Sequence, residues 1–200
     1  MVMNTCYQAH DLLWGMTDDW LESAAPDWIK DVLSQNQPVV VRRAQPPPDM
    51  VAVGVRGKHR HQRYATQMPK SMVSRQLKPE NLIHLDAAKY PHIEEQFLHV
   101  HRVLIDYIWG YTGSFAYELA TGMNVLTENS DIDLIIRVDT YLEKDLAKFL
   151  FDQLRVSGLK LDIQLQTPQG GVALKEWMQT TDQVLLKRND TALLVVNPWA

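Results

Sequence analysis

The sequence predicts a mixed α/β (α+β) protein, in which a sheet with flanking helices forms a C-terminal domain behind a smaller N-terminal α/β module. Hydrophobic residues make up 46% of the 200 residues, which is enough to bury a core. Apolar runs with helix and strand periodicity alternate after residue 93. An excess of basic residues ends near Pro79, so we predict domains over residues 1–79 and 80–200.

The N-terminal module combines one short helix with β-branched strands. Residues 27–33 have a helical pattern, whereas 39–41 and 51–55 are valine-rich runs that favour strands. The three prolines at 46–48 cannot lie inside a sheet, so they predict a stiff connection between these strands. The basic residues 56–63 predict a loop or the end of a strand.

Helices and strands alternate in the C-terminal domain. Apolar residues recur every three or four positions from Phe97 to Tyr107, which predicts an amphipathic helix. A second helix is predicted over 142–156, closed by Ser157 and Gly158. The remaining apolar runs predict strands over 132–138 and 159–166, and a terminal hairpin of 184–186 with 193–196.

Composition excludes several classes of protein. The one cysteine, Cys6, excludes an internal disulfide framework and a cysteine-rich zinc site. No apolar run approaches the roughly 18 residues that a membrane-spanning helix needs. The first ten residues show no signal-peptide pattern, so we expect a cytoplasmic protein with no membrane partner.

The net charge of −4 hides a strong asymmetry. Residues 37–79 carry a net charge of +8, and the rest of the chain carries −12. Such a segment suggests contact with a polyanion, although a solvated basic face is an equal alternative. Arg42, Arg56 and Arg60 lie at or just after predicted strands, so we predict that they bind phosphates of a substrate.

An acidic pair opens the strand predicted at 132–138. Side chains alternate along a strand, so Asp131 and Asp133 share one face while Ile132 and Leu134 share the other. Two neighbouring carboxylates repel each other, and a bound divalent cation relieves that repulsion. Carboxylate oxygens suit Mg²⁺, which also binds substrate phosphates. We therefore predict a Mg²⁺ site at Asp131 and Asp133.

A third carboxylate follows the same pattern. Asp162 lies on the polar face of the next predicted strand, so it reaches the same site if the two strands are neighbours. Three carboxylates on two strands are typical of a phosphoryl-transfer centre, with Asp162 as metal ligand or nearby base. Gly113 and Ser114 precede the pair and are predicted to hold substrate phosphates, and Lys175 is predicted to line the substrate pocket.

This arrangement of a Gly-Ser pair, an Asp-x-Asp strand and a later strand carboxylate resembles the nucleotidyltransferase (DNA polymerase β-like) superfamily. The sixteen residues between Ser114 and Asp131 are more than is usual there. The chain also resembles a narrower family, the phosphoribosyl-dephospho-CoA transferases of malonate decarboxylase. The blocks that carry this resemblance span residues 10–14, 38–43, 53–57, 109–122, 130–134, 161–162 and 175–177.

The resemblance implies an enzyme that transfers the phosphoribosyl-dephospho-CoA group from 2′-(5″-triphosphoribosyl)-3′-dephospho-CoA. The acceptor it implies is a serine of the malonate decarboxylase acyl carrier protein, with release of pyrophosphate. Two alternatives stay open at this point. One is a nucleotidyltransferase that uses a nucleoside triphosphate on a small molecule or protein. The other is a nucleic-acid-binding module, which the acidic whole chain and the scarcity of aromatics in the basic segment disfavour.

Overall fold

A computed structural model describes residues 7–59, 61–85, 89–127 and 130–200. Arg60, one of the predicted phosphate-binding residues, lies outside the described residues. The chain divides into two compact units, Met1–Lys78 and Pro79–Ala200. Among the described residues, no helix is long and apolar enough to cross a membrane.

The first unit is an antiparallel sheet of five strands with the order β4-β3-β2-β1-β5. Its strands are β1 (Leu12–Trp14), β2 (Val39–Val41), β3 (Met50–Arg56), β4 (Arg63–Pro69) and β5 (Arg75–Leu77). Helix α1 (Trp28–Ser34) contributes Ile29, Val32 and Leu33 to a core that includes alternate valines of the central strands. The apolar alternation of β2 and β3 therefore turns one sheet face toward α1.

The described residues of the basic segment predicted as a loop or strand end lie at the end of a hairpin. Arg56 closes β3 and Arg63 opens β4, and the two residues pair directly across the hairpin. The strand β4 was not predicted, because its residues alternate between exposed and half-buried positions and contain few β-branched side chains.

The second unit contains a mixed sheet of six strands with the order β11-β10-β9-β8-β7-β6. Its strands are β6 (Ile108–Tyr111), β7 (Ile132–Arg137), β8 (Leu161–Gln166), β9 (Gly171–Ala173), β10 (Val184–Lys187) and β11 (Ala192–Val195). Its helices are α2 (Glu94–Val103), α3 (Gly113–Thr121), α4 (Lys144–Arg155) and α5 (Leu174–Gln179). The mixed α/β architecture predicted from the sequence is confirmed.

The only parallel pair in the described part of this sheet is β7 with β8, and α4 is the crossover between them. Parallel neighbours need such a crossover, which the apolar periodicity of 142–156 correctly predicted. The predicted helix from Phe97 to Tyr107 is too long, because α2 ends at Val103 and the chain turns into β6. Tyr107 and Leu104 belong to this turn, where the Tyr107 amide donates to the Leu104 carbonyl.

Different elements pack against the two faces of the second sheet. Leu161 and Ile163 of β8 lie with Phe151 and Leu154 of α4, so the helix lies on the apolar face. On the other face, the turn at Pro79–Leu82 covers Gly110, where an added Cβ would lie 2.1 Å from the Pro79 carbonyl carbon. An ion pair of Glu80 with Arg137 lies farther along the same face. Asp133 and Asp162 are at the opposite end of that face.

Candidate active site

Three chain segments meet at one edge of the second sheet. β6 runs antiparallel to β7, with Tyr111 opposite Leu134. β7 runs parallel to β8, with Ile132 opposite Leu161. The carboxyl end of β6 therefore lies beside the amino ends of β7 and β8, and α3 begins directly after β6 at this edge.

Asp133 and Asp162 are direct partners on the two parallel strands. Neighbouring strands lie about 4.8 Å apart and partner residues share a face, so both carboxylates project from the same side of the sheet. Asp133 is half-buried and Asp162 is exposed. The structure thus brings together two of the three predicted acidic residues, one on each strand, at this edge of the sheet.

Gly113 lies against the Asp133 carboxylate. Its φ is +62°, and a Cβ built there would stand 1.8 Å from Asp133 Oδ2. The backbone amide of the preceding Thr112 also donates to the Asp133 carbonyl oxygen at 2.9 Å. Only glycine fits both the left-handed conformation and this approach. The glycine therefore keeps the start of α3 against the acidic strand.

Ser114 lies in the first turn of α3, a helix of nine residues. The amides of a first helical turn have no partner within the helix and point toward an anion placed there. Gly113 and Ser114 thus present a helix start, and not an isolated turn, beside Asp133. This geometry suits the predicted contact with phosphates.

Asp131 takes a different position from the other two carboxylates. It lies just before β7, its side chain is 45% exposed, and its Oδ1 is 2.6 Å from Lys160 Nζ. Among residues 7–59, 61–85, 89–127 and 130–200, no group of three or more His, Cys, Asp or Glu residues is arranged to hold a metal ion. Asp133 and Asp162 are thus direct strand partners, and Asp131 forms an ion pair with Lys160.

A buried glutamate missed by the sequence reasoning organises the segment between α3 and β7. Glu118 is 4% exposed, and its Oε2 accepts hydrogen bonds from the amides of Val125 at 2.7 Å and Leu126 at 2.9 Å. Its other oxygen accepts from the Tyr90 hydroxyl and lies 3.6 Å from Lys89 Nζ. These contacts hold the backbone of Val125 and Leu126 against α3.

The charge state of this cluster follows from its partners. Burial by itself would raise the pKa of Glu118, but the hydrogen bond from Tyr90, the amides of Leu126 and Val125 and the charge of Lys89 together hold it below its ordinary value. Burial, and then the hydrogen bond to Glu118, raise the pKa of Tyr90. Glu118 is therefore a carboxylate and Tyr90 a neutral donor at neutral pH.

The described basic residues predicted to bind substrate lie in both units. Arg42 and Arg56 belong to the first unit, at the end of β2 and on β3. Lys175 is exposed on α5 and lines a groove of about 570 Å³ with Lys148 and Arg155 of α4. Because α4 lies on the apolar face of β8, Lys175 is on the face opposite to Asp162, and the structure does not bring it to the carboxylates.

We expect Gly113→Ala to lose both stability and activity, because the new methyl group meets Asp133 Oδ2 and the backbone is left-handed. Gly122→Ala is the matched control, since its φ is +74° and nothing lies within 4 Å of an added Cβ. The control should cost roughly 1–2 kcal/mol from backbone strain alone. Thermal unfolding and a transfer assay of both variants check this. Equal losses would show that the contact with Asp133 is unimportant.

We expect Glu118→Gln to unfold more easily at neutral pH by about 1.5–3 kcal/mol, because charge-assisted hydrogen bonds to two buried amides are weakened. The lowered pKa of Glu118 means that the wild-type advantage is full above the ordinary glutamate pKa of about 4.3 and is lost as pH falls through the lower folded value. Urea unfolding of both proteins from pH 7 to pH 3 checks this. A gap that stays constant over that range would contradict the assignment.

Comparison with known proteins identifies relatives over nearly the whole chain. The family profile described as phosphoribosyl-dephospho-CoA transferase MdcG N-terminal domain matches residues 8–79. The profile of the corresponding C-terminal domain matches residues 82–198. No solved structure is significantly similar.

Curated relatives bear the same name. A phosphoribosyl-dephospho-CoA transferase of Azotobacter vinelandii is 42% identical over 199 residues, covering 96% of this chain and 94% of the relative. One of Pseudomonas putida is 44% identical over 195 residues, with 96% and 95% covered. One of Pseudomonas fluorescens is 42% identical over 193 residues, with 96% and 94% covered. With two family profiles and full-length relatives in agreement, the chain belongs to the phosphoribosyl-dephospho-CoA transferase family and is an enzyme of the transferase class.

Proposed function

We propose that this enzyme moves the phosphoribosyl-dephospho-CoA group from its triphosphate donor to a serine of the malonate decarboxylase acyl carrier protein, with release of pyrophosphate. The observation that carries the proposal is the Asp133–Asp162 pair beside the start of α3. Carboxylates and helix amides at one sheet edge suit a reaction in which a charged phosphoryl group is displaced. The cytoplasmic location predicted from the sequence stays a prediction.

The residues present at this edge fit Mg²⁺. Two carboxylates on neighbouring strands match a cation that takes one or two carboxylates together with substrate phosphates. The left-handed Gly113 leaves Asp133 Oδ2 space that a Cβ would fill. We propose Asp133 and Asp162 as ligands, joined by Asp131 when its carboxylate leaves Lys160. The cation would supply charge neutralisation on the triphosphate.

The chain's own residues account for the remaining steps. The serine oxygen forms a bond to the α-phosphorus as the bond from that phosphorus to the pyrophosphate oxygen breaks. Asp162 is exposed and is placed to accept the serine proton, which then passes to solvent. The first amides of α3 and the Ser114 hydroxyl bind the leaving pyrophosphate, where the positive end of the helix favours negative charge.

Mass spectrometry of the intact carrier protein tests this function. The apo carrier protein, this enzyme, Mg²⁺ and the triphosphoribosyl donor are incubated together, and we expect the carrier protein to gain the mass of one phosphoribosyl-dephospho-CoA group. A parallel reaction with ATP as donor tests the alternative nucleotidyltransferase activity. Modification by ATP but not by the triphosphoribosyl donor would overturn the proposal in favour of that alternative.

A further inference from the structure

The sheet of the first unit has a second face that α1 does not cover. Val40 pairs with Gly54, Gly54 pairs with Ala65, and Arg56 pairs with Arg63. These positions alternate with the core valines 39, 41, 53 and 55, so they project to the opposite face. Arg42 directly follows β2, two residues after Val40, so its side chain projects from the same face as Val40. Three arginines from three neighbouring chain segments therefore project together.

These side chains surround a cavity of about 300 Å³. Its lining includes Arg42, Arg56 and Arg63 around the small residues Gly54 and Ala65. A Cβ added to Gly54 would lie 3.1 Å from Arg42 Cδ, so the glycine lets the Arg42 stem lie along the floor. Small residues at the centre leave space for a ligand, and the guanidinium groups stand around it.

Arg42 and Arg63 give this cavity two exposed positive charges. Arg42 and Arg63 are exposed, and within the described residues neither is paired with a carboxylate. Arg56 is only 4% exposed, which holds its guanidinium close to the sheet. The like charges of Arg42 and Arg63 repel each other, and an anion between them removes that repulsion. The cavity cannot attract a metal ion, so its ligand chemistry differs from that of the carboxylate edge.

We propose that the cavity bounded by Arg42, Arg56 and Arg63 is a binding site for a phosphoanhydride group, meaning two linked phosphates bound without a metal ion. Planar guanidinium groups each offer two parallel donors, which match adjacent phosphate oxygens better than a point charge does. Two sources supply this chemistry. They are the diphosphate within the dephospho-CoA part of the donor and the released pyrophosphate. The inference rests on the proposed function for the identity of these sources.

Titration calorimetry of the full-length protein with pyrophosphate tests the site, in buffer with EDTA so that no divalent cation takes part. We expect Arg42→Ala and Arg63→Ala each to weaken binding by roughly tenfold or more, the scale of one lost charge-assisted contact. Arg63→Lys should restore only part of the lost affinity, because lysine keeps the positive charge but lacks the two parallel donors of a guanidinium group. Arg188→Ala, an exposed arginine of the second unit, is the control and should bind as wild type does. Circular dichroism establishes that each variant folds.

Dephospho-CoA, which carries one diphosphate, separates the two sources. If it binds and is displaced by pyrophosphate, and both affinities fall in Arg42→Ala and Arg63→Ala, the cavity holds the donor's diphosphate. Pyrophosphate binding alone assigns the cavity to the product. Unchanged affinities for both ligands in both variants overturn the proposal. So does a loss confined to carrier-protein binding, which would make this face a docking surface.

The same titrations distinguish this inference from the proposed function. Asp133→Asn should leave the arginine-dependent binding of pyrophosphate unchanged, because the carboxylate edge takes no part without a cation. Arginine-dependent binding by an enzyme that modifies no carrier protein would support the cavity and contradict the proposed function. Transfer to the carrier protein without arginine-dependent binding of pyrophosphate or dephospho-CoA would support the proposed function and contradict the cavity.

Discussion

Asp133→Asn is expected to abolish transfer of the prosthetic group and to leave the fold intact. Asp133 links the two other parts of the edge, since it is opposite Asp162 on the parallel strands and lies against Gly113 at the start of α3. Asparagine keeps the shape and loses the charge that a cation and the developing negative charge depend on. Removing one such electrostatic contact costs roughly 10²–10³-fold in rate, and losing a metal site costs more.

A matched control for Asp133→Asn lies beyond the carboxyl end of β7. Asp139 is exposed and lies two residues after β7 ends, away from the acidic edge. We expect Asp139→Asn to transfer at the wild-type rate. Single-turnover rates measured on the carrier protein, together with thermal unfolding of each variant, check both expectations. Near wild-type turnover by folded Asp133→Asn would remove this residue from the mechanism.

Much of the fold could be predicted because the apolar pattern of its central elements is strong. The runs at 132–138 and 159–166 became β7 and β8, and the periodic segment between them became their crossover helix. Strong alternation follows from burial on one face and exposure or chemistry on the other. Patterns of this kind are visible in one sequence because they need no knowledge of the partner strand.

Other elements were not predictable in the same way. β6 spans only Ile108–Tyr111, and its central Gly110 lacks a side chain because the Pro79 backbone packs against it. Helix α3 was missed because five consecutive residues from Phe115 to Leu119 are buried, which leaves no polar stripe. The packing partner decides such segments, and that partner is distant in sequence.

The candidate active site could likewise be predicted only in part from the sequence. The alternation of Asp131 and Asp133 predicted one acidic strand, but only the pairing of β7 with β8 places Asp162 directly opposite Asp133. A shift of one residue in that register would turn Asp162 away. Asp131 was predicted to join them, and its contact with Lys160 involves a residue on the other side of the crossover. Glu118 was not predicted as part of the site, because only the fold brings it to its partners, the Tyr90 hydroxyl and the amides of Val125 and Leu126.

Asp162→Asn is expected to lower the rate of transfer by about 10²-fold or more while changing donor affinity much less. Asp162 is exposed beside half-buried Asp133, so it is the carboxylate of this pair that an incoming serine hydroxyl meets first. Asparagine preserves its size, its place on β8 and a side-chain oxygen that can still contact the proposed cation, but it cannot accept the serine proton.

The split between the Michaelis constant and the maximal rate decides the role of Asp162. Donor titrations at saturating carrier protein should give a Michaelis constant near that of the wild type and a much lower maximal rate. Gln164→Ala, which alters the same face of β8 one step further along, is the comparison and should keep most of the rate. A proton acceptor also predicts that the remaining activity of Asp162→Asn rises with pH, since hydroxide replaces the missing base. If donor affinity collapses and the maximal rate holds, Asp162 binds the donor and the serine proton goes to another group.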